Sequence, residues 1–231
     1  MTDTSTQSTN VHPESVPVAH DLRAIVEAPG HPANVVVGGG GDPLILALPI
    51  FAVGALALGI ALTGVMLPLA ALGAVLPIVL FATGIGLMVS TVWALLLGQT
   101  MVAGITGTFG GFWLSMGGLL LGLTHNWFGL APEVAAQTQE MFFICWACLF
   151  MFLLVPSLKL PAVYPAIVGL VVVALALAAT ALQVGDATLL EWAGYVTLAF
   201  AFLGFYAFVN VGLTAMGARK PFPPLGKPLM P

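Results

Sequence analysis

Charged residues are scarce in this chain. Of its 231 residues, only 6% are Asp, Glu, Lys or Arg, whereas 60% are hydrophobic. Soluble domains carry about 25% charged residues, because their surfaces must be hydrated. A composition so poor in charge and so rich in apolar residues excludes an ordinary soluble domain and indicates an integral membrane protein.

Basic residues, cysteine and histidine are also few, and each shortage excludes a class of function. Five Lys and Arg residues cannot form the basic patch that nucleic-acid binding needs, so no nucleic-acid partner is expected. Cys145 and Cys148 match a CxxC spacing but lie in an apolar run, which favours small buried hydrophobes over a disulfide framework. Three of the four histidines precede residue 42 and His125 lies in a loop, so no metal site within the membrane is expected.

Six long apolar segments make up most of what is present. A membrane-spanning helix needs roughly 20 residues, and five segments reach this length. The fourth is short, and we expect it to borrow Thr138–Glu140 or to continue to Leu158. No segment contains Asp, Glu, Lys, Arg or His, so the usual groups for acid–base catalysis and proton relays are missing, and neither an enzyme nor a cofactor is predicted. The segments are Leu44–Val65, Leu76–Leu97, Met101–Leu123, Met141–Val155, Pro161–Leu182 and Trp192–Leu213.

The basic residues predict the orientation of the six spans. With the N-terminus in the cytoplasm, all five Lys and Arg residues fall inside, and the acidic residues of the loops fall outside. This distribution obeys the positive-inside rule, so both termini are predicted to be cytoplasmic. The domains are then a disordered tail over residues 1–41, a six-helix transmembrane domain over 42–216, and a short basic tail over 217–231. A short amphipathic helix near Ala19–Ala28 is an alternative for part of the first tail.

The third segment is unusually rich in glycine. On a helix, Ala103, Gly107, Gly111 and Ser115 recur every four residues and form one smooth face, which lets another helix approach closely in lipid. The remaining polar atoms of this stretch belong to three threonines and a tryptophan, which are candidates for lining a narrow path. These are Thr100, Thr106, Thr108 and Trp113.

The first and sixth segments carry further signals. Asp42-Pro43 is a favourable helix start, whereas Pro49 cannot donate a helical hydrogen bond and is expected to kink or break the first helix. Tyr206 and Asn210 lie four residues apart and therefore share one helix face, which is expected to contact other helices or a pore. A second small-residue face in the first segment consists of Ala55, Gly59 and Thr63.

These residues resemble the acetate uptake transporter family, which includes the bacterial acetate–succinate transporters and their yeast acetate/ammonia relatives. Gly98–Thr100 followed by Phe109–Leu114 is similar to the family's Gly-Asn-Thr and Tyr-Gly-Ser-Phe-Trp run. Glu191–Tyr195 and the residues up to Arg219 are similar in spacing, and Asp42-Pro43 stands where the family has Asn-Pro. The resemblance covers roughly residues 42–227.

The resemblance implies a fold and a site. Family members are homohexamers of six-helix protomers, similar in architecture to urea channels, with one pore in each protomer. Two three-helix halves of opposite topology are therefore expected. The pore is pinched by apolar and aromatic residues, and by position Phe51, Phe109 and Val171, or its neighbour Leu170, correspond to that constriction. Residues expected along the path are Asp42, Pro43, Gln99, Thr100, Thr106, Thr108, Trp113, Tyr206 and Asn210.

Several positions differ from the family pattern. Ile45 replaces the second proline of the signature, Leu87 stands where a glutamine is common, and Ala94 where a glutamate can occur. Phe109 lacks the hydroxyl of the usual tyrosine. The path is therefore expected to be more apolar than in other members.

The sequence thus predicts a plasma-membrane transporter for acetate or another small monocarboxylate. With no ionisable group in the spans, a transported proton would travel on the substrate, so that anion channel and proton symport both stay open. The alternatives are a channel for a small neutral solute such as ammonia, urea or a short amide, and a membrane scaffold that transports nothing. The expected partners are the carboxylate, protons, membrane lipids and further copies of the chain.

Overall fold

A computed structural model describes residues 41–66 and 68–230, and apart from one isolated bridge between Pro161 and Pro228 their regular structure is helical. The tail predicted over residues 1–41 and its alternative helix lie outside the described residues, except for Gly41. Within the described residues, six helices are long and apolar enough to cross a membrane, and this confirms the all-α, six-span prediction.

Five of the six spans are continuous α-helices. The second span, Ala71–Leu96, is composite: a 3-10 turn, Leu69–Val75, leads into a π-helical segment, Ile78–Ile85, and then into the helix α2, Gly86–Leu96. The other helices are α1 (Leu44–Thr63), α3 (Thr100–Thr124), α4 (Pro132–Ser157), α5 (Val163–Val184) and α6 (Ala187–Ala215).

Two helices extend well beyond the apolar segments that predicted them. α4 has 26 residues and begins at Pro132, and α6 has 29 residues and begins at Ala187. Glu140 and Glu191 therefore lie within helices, although the apolar segments contain no charge. The reason is that a helix need not end where the apolar run ends, and polar residues continue it past the hydrocarbon layer.

The start of α1 differs from the prediction in one respect. A kink or a break was predicted at Pro49, and the helix runs through Pro49 without a break. A proline removes only its own N–H donor, and the remaining hydrogen bonds of a 20-residue helix keep both sides helical. The Asp42 carboxylate accepts the N–H of Leu44 at 2.9 Å, and Ser90 donates its hydroxyl to the carbonyl of Pro43 at 2.8 Å.

Neighbouring helices pack side by side in a ring. In the first half the second span contacts α1 and α3, and in the second half α5 contacts α4 and α6. α1 packs against α6 and joins the halves, and α3 meets α4 mainly through aromatic side chains. Because each half has three spans, the second half enters the membrane from the opposite side.

Small residues set the distance between α1 and α6. A Cβ atom on Gly194 would lie 2.9 Å from the backbone nitrogen of Thr63, and one on Gly59 would lie 3.1 Å from the carbonyl oxygen of Gly194. Ala55 is fully buried. The small-residue face formed by Ala55, Gly59 and Thr63 therefore packs against α6 of the same chain.

We predict that both ends of the described chain lie on the cytoplasmic side, and two exposed positions test this. Ala131 precedes α4 in extended conformation (φ −65°, ψ 146°), and Lys227 lies in the C-terminal segment. Ala131→Cys should react with an impermeant thiol reagent added outside intact cells, and Lys227→Cys should react only after the membrane is opened.

Both variants are made in a chain without the native cysteines. Cys145 and Cys148 lie on the outer surface of α4, so both are first replaced by alanine, which leaves one thiol in each variant. If Lys227→Cys were labelled in intact cells and Ala131→Cys were not, the orientation would be opposite to the predicted one.

Candidate functional site

Two apolar cavities lie inside the ring of helices. The larger has a volume of about 200 Å³. Part of its lining comes from the final turns of α1, α3 and α5, at Leu62, Leu120 and Leu182, and from the beginnings of α4 and α6, at Gln139 and Leu190. These ends all lie on the same side of an alternating bundle, so the larger cavity extends toward that side.

The smaller cavity extends toward the other side. Its volume is about 40 Å³, and Leu48, Thr106, Tyr164 and Val168 from the first halves of α1, α3 and α5 contribute to its lining, with Leu87 from α2. The two cavities therefore follow one another along the helix direction, which is the direction of a path across a membrane.

Phe51 and Phe109 line both cavities and separate them. Each side chain is 5% exposed, and their ring centroids are 4.9 Å apart in an edge-to-face arrangement. Val171 lines the larger cavity beside them, whereas its neighbour Leu170 lines neither cavity. The constriction formed by Phe51, Phe109 and Val171 is called the pinch below.

Other aromatic residues hold the pinch. Phe200 on α6 stacks on Phe51 with centroids 5.7 Å apart, and Phe150 on α4 packs against Phe109 at 4.7 Å. Such pairs contribute about 0.5–1.5 kcal/mol each beyond their buried area. Sequence reasoning missed both residues. In helices that are apolar on every side, hydrophobic periodicity cannot show which face points inward.

Few polar side chains line the cavities, and the two threonines among them are hydrogen-bonded within the protein. Thr197 donates its hydroxyl to the carbonyl of Ala193 at 2.7 Å, and Thr106 bonds to the carbonyl of Val102 and the hydroxyl of Thr91 at 2.9 Å each. The indole N–H of Trp113 is the exception among buried side chains of the described region: it has no hydrogen-bond partner. The side chain lines the larger cavity and is 1% exposed.

Most of the other residues predicted along the path lie outside both cavities. Asp42 and Gln99 are half-buried at helix starts, Thr100 is exposed, and Thr108 is half-buried on α3. Pro43 is fully buried beneath Ser90. Of the predicted path residues, the structure therefore brings Thr106 and Trp113 to the cavities.

Tyr206 and Asn210 have a different role from the predicted one. The Tyr206 hydroxyl donates to the carbonyl of Pro224 at 2.7 Å, and the Asn210 side-chain amide donates to the carbonyls of Pro223 at 2.6 Å and Pro221 at 3.3 Å. Neither residue lines a cavity. Their polar groups bond the C-terminal segment, and neither cavity supports their predicted place on the path.

This C-terminal segment folds back onto the start of α5. The carbonyl of Leu225 accepts the N–H of Val163 at 3.1 Å, and the N–H groups of Leu229 and Met230 donate to the carbonyl of Leu158 at 2.9 and 3.0 Å. Prolines prevent regular secondary structure in this C-terminal segment. Its backbone carbonyls therefore lack local donors and accept hydrogen bonds from the helices. The segment thus ties α6 to the α4–α5 connection.

The cysteines and acidic residues form no further site. Cys145 and Cys148 are exposed thiols on α4 of the single chain, so the prediction that they are buried is wrong. Most of the apolar surface of α4 faces away from the other helices of the chain, and both cysteines lie on that surface. Among the described residues, no cluster of three or more His, Cys, Asp or Glu side chains could hold a metal ion.

Six membrane-spanning helices surround two apolar cavities that meet at an aromatic pair, an arrangement that suits a membrane channel or transporter. The sequence matches the GPR1/FUN34/yaaH family over residues 28–218, and the chain belongs to this acetate transporter family. The resemblance noted in the sequence is thereby confirmed.

A solved structure shares the fold. The bacterial acetate channel SatP superposes with a TM-score of 0.70 over 80% of this chain and 99% of its own, at 23% sequence identity. No curated protein matches the sequence.

We predict that Tyr206→Phe and Asn210→Ala each loosen the C-terminal segment. Tyr206→Phe removes one hydrogen bond of about 1 kcal/mol, which should raise the local opening equilibrium roughly fivefold. Asn210→Ala removes two hydrogen bonds and should raise that equilibrium further. Hydrogen exchange at the amides of Leu229 and Met230 should accelerate correspondingly in each variant. Tyr195→Phe is the control, because Tyr195 is an exposed tyrosine on the same helix that stacks on Trp192. Equal exchange in all three variants would show that the two side chains do not anchor the segment.

Proposed function

We propose that this protein passes acetate, or another small monocarboxylate, across the plasma membrane through the two cavities and the pinch. The observation that carries the proposal is that the cavities follow one another along the helix direction and share Phe51 and Phe109. Membership of an acetate transporter family supports the choice of substrate, and the acetate channel SatP shows that the same fold serves this function in another protein.

The dimensions favour a small solute. A cavity needs roughly 10–15 Å³ of accessible volume to hold one water molecule, so the 40 Å³ cavity has room for a few water molecules or one small solute. A two-carbon acid passes with modest side-chain movement, whereas each additional methylene requires the aromatic rings to separate further. Phe51, Phe109 and Val171 would therefore act as a filter for size.

The absence of charge along the cavities determines the form of the substrate. Within the part of the chain that the structure describes, no Asp, Glu, Lys or Arg lines either cavity. A bare carboxylate is strongly disfavoured at an apolar constriction. The neutral acid avoids this penalty. Trp113 offers a donor to a substrate oxygen once the side chains around it move apart, which would satisfy an otherwise unpartnered N–H group.

Transport is then linked to protons through the substrate. A simple carboxyl group has a pKa of roughly 4–5, so its neutral fraction rises as the external pH falls toward that range. Uptake should increase on external acidification and decline as the pH rises above neutrality. No side chain within the spans needs to change its protonation state.

The proposed assembly is a homohexamer in the plasma membrane with both termini in the cytoplasm. One part of the small-residue face of α3 packs within the chain, and another part is exposed. Gly107 packs within the chain against Thr91, where an added Cβ would approach to 3.1 Å, whereas Ser115 is exposed. The exposed part of this face and the outer surface of α4 are available to neighbouring subunits or lipid.

Uptake by proteoliposomes tests the substrate. With the inside held at pH 7.5, labelled acetate should enter faster at external pH 5.5 than at 7.5, after subtraction of protein-free vesicles, and labelled urea should show no protein-dependent entry. Native mass spectrometry of the same preparation should give the mass of six chains. Only monomers would contradict the hexamer.

Two results would contradict the proposal, and each would favour an alternative function. The apolar lining also suits a neutral solute, so urea or ammonia entry without acetate entry would identify a neutral-solute channel. A preparation that transports none of these solutes would be a scaffold.

Phe51→Ala should widen the pinch. We expect the ratio of butyrate to acetate uptake to rise several-fold, because removal of the ring eliminates the narrowest contact with Phe109. Phe208→Ala is the matched control: Phe208 lies on α6, is half-buried and lines neither cavity. If Phe51 merely packs, its removal would cost about 3–5 kcal/mol of stability and leave the ratio unchanged per folded protein.

A further inference from the structure

Thr83 makes a hydrogen bond that sets it apart from the other helical threonines. Its side chain is 0% exposed, and its hydroxyl donates to the carbonyl of Ile50 on α1 at 2.9 Å. A threonine in a helix ordinarily bonds the carbonyl four residues earlier in its own helix. Among the described residues, seven threonines do so: Thr91, Thr106, Thr124, Thr138, Thr180, Thr197 and Thr214.

Thr83 lies in the π-helical segment Ile78–Ile85, a rare helical geometry that frequently occurs at functional sites. Two glycines allow the contact with α1. A Cβ on Gly54 would collide with the Thr83 side chain, and the Ile50 side chain packs directly over Gly86. The second span therefore holds α1 at Ile50 by both its carbonyl and its side chain.

The next residue in α1 is Phe51. Its ring packs against Phe109 and Phe200, and a Cβ on Gly204 of α6 would lie 3.3 Å from it. The position of the ring thus depends on a backbone that Thr83 anchors one residue earlier. Because Pro49 leaves this turn of α1 one backbone hydrogen bond short, an anchor from outside the helix has most effect here.

We propose that Thr83 is a positioning residue for the pinch: its hydrogen bond to the Ile50 carbonyl holds Phe51 in place and thereby sets the size limit for the transported acid. The inference rests on the proposed function, since it assigns the anchor of the same constriction. Thr83 lines neither cavity and acts through Phe51.

Thr83→Val keeps the shape of the side chain and removes the donor. The ratio of butyrate to acetate uptake per folded protein should rise, on the order of fivefold for the loss of one buried hydrogen bond. Thr83→Ser keeps the hydroxyl and should retain the ratio of the unsubstituted protein. Ser90→Ala is the matched control, because Ser90 makes the same kind of bond from the second span to α1, but at Pro43, about two turns from Phe51. It should leave the ratio unchanged.

The double variant that combines Thr83→Val with Phe51→Ala distinguishes a failure of this inference from a failure of the proposed function. If Thr83 acts through Phe51, then Thr83→Val should add nothing to the ratio in the Phe51→Ala background. A changed ratio in Phe51→Ala with an unchanged ratio in Thr83→Val overturns this inference alone. An unchanged ratio in both overturns the pinch and the inference together, and additive effects would show that Thr83 acts elsewhere.

Discussion

The close packing of α1 against α6 is the contact on which the interior depends. In lipid, apolar side chains gain little by leaving one apolar environment for another, so helices associate through van der Waals contact at short distance. Gly59, Gly194 and Gly204 provide that distance, since a Cβ at any of them would meet atoms of the partner helix at 2.8–3.3 Å. The same approach brings Phe51 of α1 onto Phe200 of α6 and so builds one side of the pinch.

A second constraint is that hydroxyl groups must find acceptors inside the bundle. Most threonines bond their own helix, and these bonds remove polarity from the path. Thr83 and Ser90 instead donate to backbone carbonyls of α1. Trp113 alone among the buried side chains of the described region keeps a polar atom without a partner. The interior is therefore largely apolar, and the hydroxyls of Thr83 and Ser90 connect the second span to the beginning of α1.

Irregular backbone in this protein occurs where it has a structural role. The π-helical segment Ile78–Ile85 turns Thr83 toward α1. The proline-rich C-terminal segment has carbonyls that Tyr206, Asn210 and Val163 bond. In both cases a polar group that regular structure would have used locally instead forms a contact between elements.

The sequence alone determined the membrane class, the six spans and the family motif, because these follow from long apolar runs and from local patterns such as Gly98–Thr100 and Phe109–Leu114. It could not determine which faces point inward. Where every side of a helix is apolar, burial leaves no periodic signal, so Phe150 and Phe200 looked like any other phenylalanine, and Tyr206 and Asn210 looked like pore residues. The partners of Tyr206, Asn210 and Thr83 lie 11 to 33 residues away in the chain. Only the tertiary structure could assign them, since those contacts depend on how the helices pack and not on the residues beside them in the sequence.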